Sequence, residues 1–132
     1  MTNPSDIRAR LQLRAGADAD APTALWAGEL RALLRGVQSH SSLNAAADEL
    51  GMQYRQAWRV VKRAEALFAT ALTERRVGGH DGGGSSLTAG GVELLRRLNG
   101  VIEDMGRTTA DAFRLPLDAQ PHEVATDIIV LA

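Results

Sequence analysis

The chain has no cysteine among its 132 residues, which excludes a disulfide scaffold and a thiolate metal site and leaves stability to core packing in a reducing, cytoplasmic setting. Aromatic residues are scarce, with two Trp, one Tyr and two Phe. No stretch approaches the roughly 18 apolar residues that a membrane span needs, and the first residues lack the basic, apolar and small-residue succession of a signal peptide. A membrane protein and a secreted mini-protein are therefore not expected. The length fits one domain, assigned to residues 1–115, followed by a tail over 116–132.

An excess of positive charge is also missing. Fifteen basic side chains against sixteen acidic give −1, and phosphate binding ordinarily wants more Lys and Arg than that. The total conceals an uneven distribution. Residues 1–51 carry five basic and six acidic groups, residues 52–97 eight and four, and residues 98–132 two and six, so a +4 middle is followed by a −4 end. Lysine is nearly absent, since Lys62 stands alone beside 14 Arg. Arginine suits planar, bidentate recognition of phosphate and guanine edges, although a GC-rich genome produces the same bias.

Periodicity gives a mainly helical chain with short strands. Strict apolar alternation over residues 7–15 reads as a half-buried strand, and residues 16–22 as a polar loop. Over 23–38 the spacing of Leu30, Leu33, Leu34 and Val37 is that of an amphipathic helix. Ser41 or Ser42 can cap a second helix over 43–50, which Gly51 ends, and a third run covers 54–68. A short helix, a glycine-containing turn and a longer helix are the parts of a helix-turn-helix. On a wheel with Ala57 at zero, Val60, Val61, Ala64, Leu67 and Phe68 fall within roughly 80° of it, while Lys62, Arg55, Arg59, Arg63 and Gln56 lie at roughly 140° to 260°. A solvated face usually mixes signs, whereas only Glu65 answers these cations, so the face is expected to meet phosphate. Trp58, Tyr54 and Trp26 are read as packing residues, with Trp26 in the core or a dimer interface.

Residues 72–77 read as a short strand, followed by a loop rich in glycine over 78–86. Gly79 with Gly84, Ser85 and Ser86 resembles the frame of a phosphate-binding P-loop, but the essential lysine is missing and no helix follows directly. Thr88 is a good cap for a last helix over 89–113, with Gly90 and Gly91 placed for close approach of another backbone. In that helix Leu95, Leu98, Ile102, Met105, Thr109 and Ala112 recur at alternating spacings of three and four, too long a stripe for one small domain to cover, so a partner helix is expected. His40, His80 and His122 lack the spacing of helical metal ligands. Without a nucleophile in an activating context or a converging pair of carboxylates, no enzyme, metal or cofactor is expected.

Two motifs carry a resemblance. The first is Ser42-Leu43-Asn44-Ala45-Ala46-Ala47 followed by Gly51-Met52-Gln53-Tyr54-Arg55-Gln56-Ala57-Trp58. The second is Gly78-Gly79, Gly82-Gly83-Gly84-Ser85, Leu87-Thr88 and Gly91. In this order they resemble the N-terminal winged helix-turn-helix domain of ModE-type molybdate-responsive regulators, related to that of LysR-type regulators, over about residues 7–113. Gln53 stands where the family usually has Ser, Ser41 where it has Gly, and Glu65 where it has Asn. The resemblance implies an α+β, mainly α, winged helix-turn-helix with an N-terminal strand, a glycine-rich wing hairpin and a long C-terminal dimerisation helix. Full-length members bind molybdate in small β-domains that follow the winged helix. Those domains are expected to be missing here, so molybdate is not an expected ligand.

By that resemblance a homodimer would bind a palindromic operator in double-stranded DNA as a transcription regulator. Gln53, Arg55, Gln56 and Arg59 would face bases, and Lys62, Arg63, Arg75 and Arg76 would meet phosphates. His80, Gly82, Gly83, Gly84, Ser85 and Ser86 would lay the wing along the backbone. Leu95, Leu98, Ile102, Met105, Thr109 and Ala112 would form the dimer interface. Two alternatives stand beside this, a winged-helix protein interaction module and an oxyanion sensor with weak DNA affinity.

Overall fold

The computed structural model describes residues 7–16, 24–77 and 84–114. The alternation over residues 7–15 yields a strand of two residues, β1 (Gln12–Leu13), paired antiparallel with β2 (Leu25–Trp26). This corrects the longer strand expected. A ladder extends only as far as its partner, and β2 gives way at once to helix α1 (Ala27–His40). Only Leu11 and Leu13 keep the apolar side of the alternation buried, whereas Ala9 and Ala15 are exposed. The Ala27 N–H donates to the Leu11 carbonyl at 2.9 Å, so the sheet runs straight into α1, which starts at Ala27 rather than residue 23.

Leu30, Leu33, Leu34 and Val37 of α1 are the centre of the core, each 1% exposed or less. Around them pack α2 (Leu43–Glu49), α3 (Tyr54–Phe68) and α4 (Ala89–Ala112). The two candidate capping serines divide the work. Ser41 closes α1 in the left-handed conformation, with its N–H donating to Val37, and the Ser42 hydroxyl oxygen accepts from the Ala45 N–H at 3.1 Å to start α2. The span of α3 is the one its periodicity predicts, and its inner face is narrow and small: Ala57, Val60, Val61 and Ala64.

Downstream, β3 (Thr73–Arg76) pairs antiparallel with β4 (Gly84–Leu87), Thr73 facing Leu87 and Arg76 facing Gly84. The glycine-rich connection, including His80, Gly82 and Gly83, lies outside the described residues, as do most of the loop expected over 16–22 and the tail over 116–132. Thr88 caps α4 as expected. Its hydroxyl oxygen accepts from the Gly91 N–H at 3.0 Å and its O–H donates to the Ala71 carbonyl at 2.5 Å. The expected close approach is at Gly91, where a Cβ would collide with the Leu72 carbonyl oxygen.

Helix α4 has 24 residues, about 36 Å at 1.5 Å per residue. Its apolar stripe does not all await a partner. Leu95 and Leu98 are 4% exposed in the chain's own core, which corrects their assignment to a dimer interface, because α4 packs against α1. Ile102 and Met105 pack at the edge of that core and keep partial exposure, Ala112 is half-buried and Thr109 is buried. No helix among the described residues is long and apolar enough to cross a membrane.

Candidate nucleic-acid interface

The side of α3 opposite its buried stripe carries Arg55, Gln56, Arg59, Lys62 and Arg63, all exposed. Gln53 is the N-cap residue, in an extended conformation, and its side chain makes no capping hydrogen bond. Its amide is therefore left at the exposed tip of the helix. Tyr54 and Trp58 are also exposed, at 48% and 46%, which corrects their reading as packing residues. Both rings lie outside the buried stripe of Ala57, Val60, Val61 and Ala64. Trp58 instead lies beside Lys62, whose ammonium is 5.6 Å from the ring centroid. Trp26 is half-buried beneath the Arg10 guanidinium, 3.8 Å from its ring centroid.

Among the described residues, Arg55, Arg59, Arg63, Arg75 and Arg76 make no ion pair, whereas the cations of α4 pair within their own helix or just beyond its end: Arg96 and Arg97 with Glu93, Arg107 with Asp104, and Arg114 with Asp111. The Glu93 carboxyl is held down to about 2 by hydrogen bonds from Arg96 and Arg97. Lys62 differs from the arginines on its face, because its ammonium bonds Glu65 at 2.9 Å. The other Glu65 oxygen accepts the Leu72 N–H at 2.8 Å, a link from α3 to the approach of β3 that the sequence did not announce. Burial pushes the Glu65 carboxyl up, but the hydrogen bonds from Lys62 and from the backbone N–H groups of Leu72 and Thr73, with the Lys62 charge, bring it below its ordinary value. His40 and Glu49 meet at 2.7 Å on the surface between the ends of α1 and α2.

The two strands bring a second set of groups beside α3. Arg75, Arg76, Val77, Gly84 and Ser85 line one side of an open groove of about 790 Å³, and Ser42, Leu43, Asn44 and Tyr54 line the other. Ser86 lies opposite Glu74 in the ladder and does not line the groove. Nor do Arg55, Gln56, Arg59, Lys62 and Arg63, which occupy the neighbouring face of α3. Among the described residues no three His, Asp or Glu side chains converge as metal ligands would.

No protein-family profile matches the chain, but individual proteins do. Over 100 residues, 76% of the chain, it is 34% identical to the transcriptional regulator ModE of Haemophilus influenzae, of which the match covers 36%. Over 93 residues, 70% of the chain, it is 34% identical to the molybdenum-pterin-binding protein MopB of Rhodobacter capsulatus, of which the match covers 34%. A third match is 42% identical over 64 residues, 48% of the chain and 24% of the molybdenum transport protein ModE of Herbaspirillum seropedicae. The chain is thus similar to ModE and Mop proteins over part of their length. It spans a quarter to about a third of the length of the relatives it matches. Their names describe regulation, transport and molybdenum-pterin binding rather than an enzyme. They give no support to the expectation that molybdate is not a ligand.

Proposed function

We propose that the chain is a sequence-specific, double-stranded-DNA-binding transcription regulator of the ModE type, with α2 and α3 as its helix-turn-helix, β3 and β4 as its wing, and a dimer as its working form. The observation that carries this reading is the outer face of α3, where Arg55, Arg59 and Arg63 are exposed without a carboxylate partner among the described residues, on a helix whose inner face is fully committed to the core. A relative named as a transcriptional regulator, matched over 76% of the chain, supports the regulatory role.

In this reading α3 enters the major groove with its N-terminal residues nearest the bases. The Gln53 and Gln56 amides suit adenine, and the Arg55 and Arg59 guanidinium groups suit guanine. Arg63, Arg75 and Arg76 contact phosphates, which positions the protein without specifying sequence. Lys62 adds less than they do, since Glu65 already holds its ammonium. Selection of bound sequences from a random duplex library tests the reading. It predicts an enriched inverted repeat with half-sites about one helical turn apart, and no enrichment would overturn it.

The molybdenum in the names of the relatives favours a second reading, an oxyanion sensor with weak DNA affinity. Molybdate would then raise the melting temperature of the chain, whereas the DNA-binding reading predicts no shift.

A further inference from the structure

We propose that the groove between the α2–α3 corner and the β3–β4 pair seats one sugar-phosphate strand of a DNA duplex, with Asn44 and Tyr54 as phosphate contacts beside Arg75 and Arg76. The assignment rests on the duplex-binding reading above and adds to it a strand seat separate from the base-reading face.

Chemistry is the first argument. Ser42, Asn44, Tyr54, Arg75, Arg76 and Ser85 bring two guanidinium groups, an amide and three hydroxyls to one groove, and no carboxylate lines it among the described residues. The Ser42 oxygen accepts the Ala45 N–H, which leaves its own proton for an outside acceptor. Such a lining, with a donor on every polar side chain and no anionic group, suits a row of phosphate oxygens; the sugar-phosphate backbone takes half or more of the hydrogen bonds in protein–DNA complexes. Tyr54, half exposed, offers an apolar ring with a polar tip, which fits a surface that is apolar at the sugar and wet at the phosphate.

Rigidity and shape are the second. The Ser85 N–H donates to the Ser41 carbonyl at 2.9 Å, so β4 is fastened by its backbone to the corner between α1 and α2. A Cβ at Gly84 would stand 2.5 Å from that same oxygen, so the strand approaches this closely only with glycine there. The width of the groove is thus set before any ligand arrives. It is open to solvent, whereas small-molecule sites enclose most of their ligand.

Position is the third. On α3, Tyr54 precedes Arg55 by roughly 100° of rotation, so the groove flanks the face that carries Arg55, Gln56 and Arg59. A helix lying in the major groove is bordered by phosphate strands, and this flank is where one of them passes.

The test compares Tyr54→Phe, Asn44→Ala and Arg75→Ala with the unmodified full chain, each checked for an unchanged melting temperature, on a selected operator and on an unrelated duplex. A lost hydrogen bond to a charged phosphate weakens binding roughly tenfold. The loss should be the same on both duplexes, because a phosphate contact carries no sequence information. Arg75→Ala should also make the log–log salt slope of the dimer shallower by about 1.8, one contact of about 0.9 from each protomer. If Arg55→Ala abolishes retention while all three variants keep the affinity and slope of the parent, the groove assignment is overturned and the duplex-binding reading stands. If the parent binds no duplex at low salt, both fall. If inorganic phosphate raises the melting temperature of the parent but not of Arg75→Ala, and duplex affinity is equal in the two, the groove is a free-anion site and the proposal is overturned.

Discussion

Glu65 joins two elements through its two oxygens, holding the Lys62 ammonium with one and the Leu72 N–H with the other. Replacing it by Ala leaves the Leu72 N–H, on a buried residue, without an acceptor, at an expected cost of about 1–3 kcal/mol, measurable by urea unfolding at neutral pH. The contribution also depends on pH. Folding lowers the Glu65 carboxyl from its ordinary 4.5, so the folded state binds its proton less readily than the unfolded chain. The stabilisation is then complete above that ordinary value and is lost as pH falls through the lowered one. The stability difference between the parent and Glu65→Ala should therefore shrink as urea titrations move into acid. Arg55→Ala with Arg59→Ala has the opposite profile: DNA retention is lost while stability changes by less than about 0.5 kcal/mol, since both side chains are exposed and unpaired among the described residues. The spacing of Lys62 and Glu65 was legible in the sequence, but the Leu72 bond was not. It depends on the chain doubling back after α3, where Ala69 adopts a left-handed conformation that no periodicity encodes. The exposure of Tyr54 and Trp58 is hidden from the sequence for a related reason: a wheel gives direction but not depth.

At the scale of elements, α3 is legible to its ends because an uninterrupted 3.6-residue period defines both its faces. Residues 7–15 show the converse. Their alternation is strict, yet pairing needs a partner, and the two residues of β2 limit the ladder. The start of α4 is specified by named contacts, so it can be broken in two ways. Thr88→Ala removes the cap from the Gly91 N–H and the bond to Ala71, for an expected 0.5–2 kcal/mol, roughly. Gly91→Ala drives a methyl against the Leu72 carbonyl oxygen, and the required backbone shift should cost about 1–3 kcal/mol. Thermal melts of the two variants test both. The second should also disturb the approach to β3, and hence weaken duplex binding more than its loss of stability alone explains.

Over the whole molecule, the charge pattern was legible as a basic middle and an acidic end, but its meaning changes with the fold. The anions of α4 are largely answered by arginines of the same helix or next to it, and Asp118, Glu123 and Asp127 lie outside the described residues. The cations of α3 and β3 other than Lys62 find no such answer among the described residues. The stripe of α4 divides in the same way. Leu95 and Leu98 belong to the chain's own core, and Ile102 and Met105 at its edge keep partial exposure. If the working form is a dimer paired there, Ile102→Gln with Met105→Gln should sediment as a monomer, keep its helical circular dichroism and bind an operator duplex more weakly. The sequence could not separate the two halves of this stripe, because both have the same spacing and differ only in what the rest of the fold brings to them.

The central claim is that this cationic surface exists to meet a phosphate backbone. Its most direct test is the equilibrium affinity for a duplex as a function of salt. With about four to six phosphate contacts per protomer, a dimer should give a log–log slope around −7 to −11, made shallower by Arg75→Ala with Arg76→Ala. A slope near zero, or no duplex binding at low salt, would contradict the account.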